Sequence, residues 1–261
     1  MLHDVRLFLL DMDGTFYLGE RLLPGALEFL QLCRERGIPF AFLTNNSSRG
    51  RRDYLEKLRR LGAAVTQREL FTSADATLLY LREKDMPRRL LVIGTPSLTA
   101  QFAAEGYETD AAQPQAVVIG FDTTLTYEKL VRLCDAVRAG LPYIATHPDL
   151  NCPVPGGMIP DIGALIAFVK AATGREPDAV IGKPNAYIAH AAAQRFGVPL
   201  ENVCMVGDRL YTDIALGACG CQTALVLCGE TSREDLARSG LRPAAVCRDL
   251  AQLGELVKEM L

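Results

Sequence analysis

The sequence predicts an α/β protein with a doubly wound parallel sheet as its core and a smaller α/β cap domain inserted into it. Three observations predict this. Short apolar runs of strand length alternate with segments of helical period, which is how strands covered on both faces by crossover helices read. Most of those runs stop abruptly on polar residues at their C-terminal ends, the edge of an open α/β sheet where ligands bind. The acid-bearing ends fall in the first and last thirds of the chain, while the middle repeats the alternation of strand and helix without them.

Leu7-Phe8-Leu9-Leu10 is the first buried strand and runs into Asp11, Asp13 and Gly14. A loop or short hairpin follows at 16–20. Pro24-Gly25 then opens a helix whose Ala26, Leu27, Phe29, Leu30 and Cys33 recur at helical spacing up to a stop at Gly37. Ile38 to Leu43 forms the second strand and ends in Thr44-Asn45-Asn46-Ser47-Ser48. Tyr54, Leu55, Leu58 and Leu61 mark one face of the next helix, which stops at Gly62. The pattern restarts with strands at Leu90 to Ile93 and Ala116 to Ile119, a helix near 126–139 and a strand at Leu141 to Thr146. An irregular stretch rich in Pro and Gly runs from His147 to Pro160, followed by an apolar helix over 161–173.

The first pattern then resumes with Ala179 to Ile181 leading into Gly182-Lys183-Pro184, and a helix from Ala186 to Phe196 follows. The strand Val203 to Val206 ends in Gly207-Asp208, and the strand Thr223 to Leu227 ends in Cys228-Gly229. These elements place the core in 1–76 and 178–261, with 77–177 as the inserted cap.

Composition narrows the function classes. The 261 residues are 49% hydrophobic and 23% charged with a formal charge of −3, which excludes the basic balance of a nucleic-acid binder. No apolar run reaches membrane-spanning length, and residues 1–6 lack the layout of a signal peptide, so the expectation is a cytoplasmic protein. Eight scattered cysteines, several inside apolar runs, read as reduced core residues, and Cys219-Gly220-Cys221 without a second pair is poor zinc chemistry.

The chemistry lies at the strand ends. Asp11 and Asp13 alternate onto one side of an extended backbone, and Gly14 turns the chain tightly behind them. Two carboxylates this close need a cation between them or a shared proton. That suits one acid attacking phosphorus while the other passes a proton to the leaving group. Thr44 and Asn45 offer a hydroxyl and amides, Lys183 a fixed cation, and Asp208 with Asp213 the carboxylates to hold a divalent metal. A phosphoryl group needs all of these parts. Taken alone, Thr44 also fits a helix cap, Lys183 a surface residue and Gly207-Asp208 a turn.

In order along the chain, DxDGT at 11–15, the strand-ending Thr44, Lys183 and GDxxxxD at 207–213 resemble the four motifs of the haloacid dehalogenase (HAD) superfamily of phosphatases. PGA at 24–26, LTNN at 43–46, ATxPD at 145–149, GKP at 182–184 and GDRLxTDI at 207–214 are similar to its class IIA, NagD-type, p-nitrophenyl-phosphatase-like branch with a large α/β cap. His147 stands where that branch more often has Asn.

The resemblance implies that Asp11 is the nucleophile and forms an aspartyl-phosphate, while Asp13 protonates the leaving oxygen and then deprotonates water. It implies Mg2+ on the carboxylates of Asp11 and Asp208 and the backbone carbonyl of Asp13, with Asp213 orienting metal-bound water or serving as a further ligand. Thr44 and the Asn45 backbone would bind phosphate oxygens, and Lys183 would offset charge between Asp11 and the phosphate. His147 and Asp149, in the cap segment that faces the active site in that family, become candidates for substrate selection.

The expected partner is a small phosphorylated metabolite, with neither nucleic acid nor membrane involved, and the family adds dimer contacts through the cap. The alternatives are a phosphotransferase or mutase of the same superfamily and, outside enzymes, a phospho-acceptor signalling module. The module needs about half this length and has no use for an acid two residues after the phosphorylated one.

Overall fold

The structure is a computed structural model that describes residues 2–154 and 156–260. Its chain divides into two compact units. One comprises Met1–Thr44, Leu55–Phe71 and Lys183–Leu261, the other Asn45–Tyr54 and Thr72–Gly182.

The first unit is built on a six-stranded sheet in the order Ala245–Cys247, Gln222–Val226, Val203–Gly207, Leu7–Leu10, Phe40–Thr44, Leu70–Thr72. Numbered along the chain, this is 3-2-1-4-5-6 read from the other edge, the doubly wound order. Leu7–Leu10 therefore lies at the switch point, pairing in parallel with Val203–Gly207 on one side and Phe40–Thr44 on the other. Its four residues are buried, each fully buried leucine contributing about 1.5–3 kcal/mol. Leu10 is in register with both Val206 and Phe42, and the two neighbouring strands run on to Gly207 and Thr44, so the three end within two residues of one another. The Asp11 amide extends the ladder by one bond, donating to the Val206 carbonyl at 2.9 Å. That bond delivers the first acid to the edge beside Gly207 and Asp208.

The second unit carries a four-stranded sheet in the order Ala179–Val180, Tyr143–Ala145, Ala116–Ile119, Leu90–Ile93, all parallel and each strand next to its neighbour in sequence. Leu133 and Val137 of helix Tyr127–Arg138 and Ile162, Leu165 and Val169 of helix Ile162–Thr173 close its core against Val117, Ile119 and Tyr143.

Asn45–Tyr54, which the sequence reading kept with 1–76, clusters with this second unit. Polar bonds explain why: Ser47 Oγ meets Thr146 Oγ1 at 3.0 Å and accepts from the Phe121 amide at 2.9 Å. Gly50 donates to Ser97 Oγ at 2.8 Å, and Arg51 pairs with the buried Asp75. The helix Ser73–Glu83 also joins it, started by a capping box in which Thr72 and Asp75 exchange side-chain-to-amide bonds. Where the sequence reads as irregular, Asn151–Val154 and Gly157–Pro160 form an antiparallel ribbon. Pro153 and Pro160 are tolerated because a two-stranded ribbon is all edge.

Among the described residues no helix is long and apolar enough to cross a membrane. All eight cysteines are free thiols. Cys219, half-buried, has its Sγ 4.0 Å from that of Cys221. The hydrogen-bonding Cys221 thiol is the main cause that holds Cys219 down to about 6, whereas burial pushes Cys228 up to about 11. Iodoacetamide at pH 7 is therefore expected to label Cys219 at least about tenfold faster than Cys228. Peptide mapping of a time course checks this, and equal rates at the two sites would contradict it.

Candidate active site

Four of the residues singled out by sequence come together at the C-terminal edge of the first unit's sheet. Lys183 Nζ donates to Asp11 Oδ1 at 2.5 Å, to Asp213 Oδ1 at 2.6 Å and to the Leu43 carbonyl at 2.9 Å. Its side chain is 2% exposed, so protein acceptors such as these replace water around the ammonium. The other Asp213 oxygen accepts from the Arg209 amide at 3.1 Å, which folds the segment after Gly207 back on itself. Asp208 is held from two sides: Oδ2 accepts from the Glu230 amide at 2.7 Å and Oδ1 from the Thr15 hydroxyl at 3.3 Å. One carboxylate oxygen from each of Asp11, Asp208 and Asp213 lies within 4.8 Å of the others, all three residues buried.

Glycine makes this closeness feasible. Gly14 has φ +92°, and a Cβ there would stand 2.3 Å from Asp208 Oδ2. A Cβ on Gly207 would stand 2.2 Å from Asp213 Cγ. Any side chain at either position pushes a carboxylate out of the cluster.

The electrostatics follow from burial. Desolvation, with repulsion from Asp213 and Asp208, holds the Asp11 carboxyl well above the usual range against the pull of Lys183. Burial and the Asp213 charge push Asp208 up to about 6, opposed by the Glu230 amide and Arg209. Burial works against charge on Lys183, but the Asp11 and Asp213 carboxylates outweigh it and hold the ammonium above its ordinary range. Three carboxylates against one ammonium leave the site two positive charges short when all are ionised. The donor set is all oxygen and buried, which fits a hard divalent cation such as Mg2+.

Asp13 follows two residues after Asp11 and is half-buried, with the Tyr17 hydroxyl 3.3 Å from its Oδ2. Its side chain is not in the three-acid cluster. Thr44 is buried as the last residue of its strand. Asn45 belongs to the second unit, where its side-chain amide donates to Asp149 Oδ1 at 2.9 Å.

His147 differs from a ligand-facing residue. It is fully buried, with Nδ1 3.0 Å from Thr146 Oγ1 and Nε2 3.1 Å from Asp161 Oδ1, so both ring nitrogens are engaged within the second unit. Asp161 also caps the helix Ile162–Thr173, accepting from the Ile162 amide at 2.6 Å. Asp149 joins the same buried group.

The sequence reading missed Asp161, Thr15, Arg209 and Glu230. Arg209 pairs with Glu230 at 3.1 Å beside Asp208. Thr15 and Arg209 were within reach, sitting inside the DGT and GDR motifs. Glu230 acts through its backbone amide, which no side-chain pattern reveals.

Two family models match the chain, a haloacid dehalogenase-like hydrolase over residues 8–108 and a HAD-hydrolase-like model over 180–253. The crystal structure of a 4-nitrophenylphosphatase from Thermotoga maritima is 46% identical and superposes with a TM-score of 0.94, covering 97% of each chain. The dihydroxyacetone phosphatase of Corynebacterium glutamicum is 33% identical over 95% of this chain and 90% of its own. A glycerol phosphate phosphatase from Mycobacterium tuberculosis, crystallised with magnesium, is 31% identical with a TM-score of 0.87 over 97% of this chain and 78% of its own. With this likeness running along nearly its whole length, the chain belongs to the haloacid dehalogenase-like hydrolases, in the group that includes the 4-nitrophenylphosphatases.

Proposed function

We propose that the protein is a magnesium-dependent phosphatase that hydrolyses small phosphate monoesters through an aspartyl-phosphate on Asp11. The observation that carries this reading is the buried grouping of Asp11, Lys183, Asp208 and Asp213 at the switch point of the sheet.

Asp11 attacks phosphorus with a carboxylate oxygen, and the bond from phosphorus to the leaving oxygen breaks. Asp13 gives its proton to that oxygen, then takes one from the water that attacks the aspartyl-phosphate, returning Asp11 as a carboxylate. Lys183, 2.5 Å from Asp11, favours its ionised form against burial and balances charge as the anionic phosphoryl group approaches. Thr44 and the Asn45 backbone hold phosphoryl oxygens. Asp11, Asp208 and Asp213 with the Asp13 carbonyl would hold the divalent cation, which when bound offsets charge on the phosphoryl oxygens.

The core and cap domains of this reading correspond to the first and second units except at 45–54, 72–76 and 178–182, which the sequence reading gave to the core and which cluster with the second unit. His147 and Asp149 act on substrate choice by setting the shape of the second unit. A cytoplasmic location suits eight free thiols. Pairing of two copies through the second unit belongs to the same reading, and a monomer mass by sedimentation would remove it.

Phosphate release from p-nitrophenyl phosphate, glycerol phosphate, dihydroxyacetone phosphate, phosphoglycolate, sugar phosphates, pyridoxal phosphate and nucleoside monophosphates, with Mg2+ and with EDTA, tests the function. Turnover that requires metal supports it, and no turnover of any ester with Mg2+ would overturn it.

Stability should report the metal separately. Asp208 is raised to about 6 in the folded protein from an unfolded value of 3.8. The folded state therefore holds a proton more tightly, and the stability this contributes is lost as pH rises from 3.8 towards 6. A divalent cation replaces that proton, so the Mg2+-induced rise in Tm is expected to be small at pH 5. Near pH 7.5, with metal at about a hundred times its Kd, it should reach roughly 5–10 °C. Differential scanning calorimetry at the two pH values checks this, and an equal shift at both would contradict it.

A further inference from the structure

Tyr17 and Lys57 form a support behind Asp13 that nothing in the motifs assigns. Lys57 sits on helix Arg51–Arg60, whose composition is mostly charged, yet it is only 6% exposed. Its ammonium stands 3.6 Å from the centroid of the Tyr17 ring, a cation–π contact at close range. Tyr17 is itself fully buried, and Phe16 beside it packs edge-on against Phe42. The Tyr17 hydroxyl lies 3.3 Å from Asp13 Oδ2 and 3.8 Å from Met12 Sδ. The backbone pins the same pair. Gly14 donates to the Tyr17 carbonyl at 2.8 Å, Tyr17 donates to the Met12 carbonyl at 3.0 Å, and Asp13 and Tyr17 form an isolated bridge.

The parts have a direction. A cation over the face of a phenol draws electron density from the ring and makes its hydroxyl a stronger donor. Tyr17 can spend that donor on Asp13 Oδ2, which fixes the direction in which the carboxyl carries or collects the transferred proton. With only two side-chain torsions, both fixed by packing, Tyr17 holds Asp13 at one angle.

We propose that Tyr17, backed by the Lys57 ammonium, is a positioning residue that aims the Asp13 carboxyl at the leaving oxygen. This rests on the phosphatase reading above and deepens it. Asp13 gives its proton to the ester oxygen as the bond to phosphorus breaks, and the Tyr17 proton stays where it is. An alkyl ester depends on this transfer because its alkoxide is a poor leaving group. p-Nitrophenolate leaves without a proton.

The test is Tyr17→Phe, which keeps the ring, assayed on p-nitrophenyl phosphate and on the best alkyl phosphate of the panel, alongside wild type with Mg2+. The readout is kcat/KM, which reports transfer to Asp11 and excludes the later hydrolysis common to both esters. General acid catalysis contributes about 10²- to 10⁴-fold, so misaiming it should lower kcat/KM for the alkyl ester at least tenfold. p-Nitrophenyl phosphate should fall less than about threefold. Lys57→Met should shift the ratio of the two esters the same way by less, and Lys57→Arg should restore it. A ratio unchanged in both Tyr17→Phe and Lys57→Met overturns the inference, as does an equal loss on both esters. Failure of the wild type on every ester would instead sink the phosphatase reading.

Discussion

Asp11→Asn is expected to lower kcat by roughly 10⁴-fold or more, because the variant keeps the shape of the site and loses only the attacking oxygen's charge. Asparagine can still accept from the Lys183 ammonium that donates to Asp11 Oδ1 at 2.5 Å. It also removes one of three buried carboxylates facing a single ammonium. The Asp11 carboxyl is held above its ordinary range by burial and like charges, so its ionisation costs the folded protein stability near neutral pH. The metal-free variant should therefore melt no lower than metal-free wild type at pH 7.5, while its Mg2+-induced shift shrinks. Steady-state kinetics and calorimetry on the same preparation check both halves. Wild-type turnover, or a large fall in Tm without metal, would contradict the assignment.

Lys183→Met should produce the largest loss of stability of any single change in the site. The ammonium is buried and donates to two carboxylates and a carbonyl, and methionine replaces its volume without its charge. Asp11 and Asp213 are then buried without the charge that both accept from. Breaking a buried pair by removing one partner costs about 3–5 kcal/mol. For a chain of this size that is a fall in Tm of roughly 6–20 °C in EDTA. Mg2+ should restore part of it, since a cation among the carboxylates replaces some of the missing charge. The double variant Asp11→Asn with Lys183→Met should lose less than Lys183→Met alone, because one of the stranded charges is gone. A Tm in EDTA within a degree or two of wild type would show that Lys183 does not hold the cluster together.

The core strands and the acids at their ends were legible for one physical reason. A strand buried on both faces must be apolar throughout, so Leu7–Leu10 and Val203–Gly207 stand out, and the polar residue that ends each run marks the sheet's edge. The sheet's outer strands were not legible. Leu70–Thr72 and Ala245–Cys247 are three residues each, too short to show a period. The ribbon of Asn151–Val154 and Gly157–Pro160 was hidden by its prolines and glycines, which read as loop wherever the partner strand is unknown.

Within the site, the side chains that meet were visible in the motifs, but the groups that hold them are often main chain. The Leu43 carbonyl on Lys183 and the Glu230 and Arg209 amides on Asp208 and Asp213 follow from the fold alone. His147 was legible as a candidate through the family resemblance, but its partners were not: Thr146 and Asp161 engage both its nitrogens, and Asp161 lies fourteen residues on, beyond the span of the ATxPD motif. Lys57 carried no signal at all, because it lies on a helix of mostly charged residues and only the structure reveals the Tyr17 ring beneath it.

The central claim is that phosphate passes through the carboxylate of Asp11, and the most direct measurement is to catch it there. Wild-type protein mixed with substrate and Mg2+, quenched in acid within a single turnover and digested, should yield the peptide that contains Asp11 heavier by one phosphoryl group. Asp11→Asn should yield the same peptide unchanged. A phosphoryl group on any other residue, or none on Asp11 while phosphate is being released, would contradict the account.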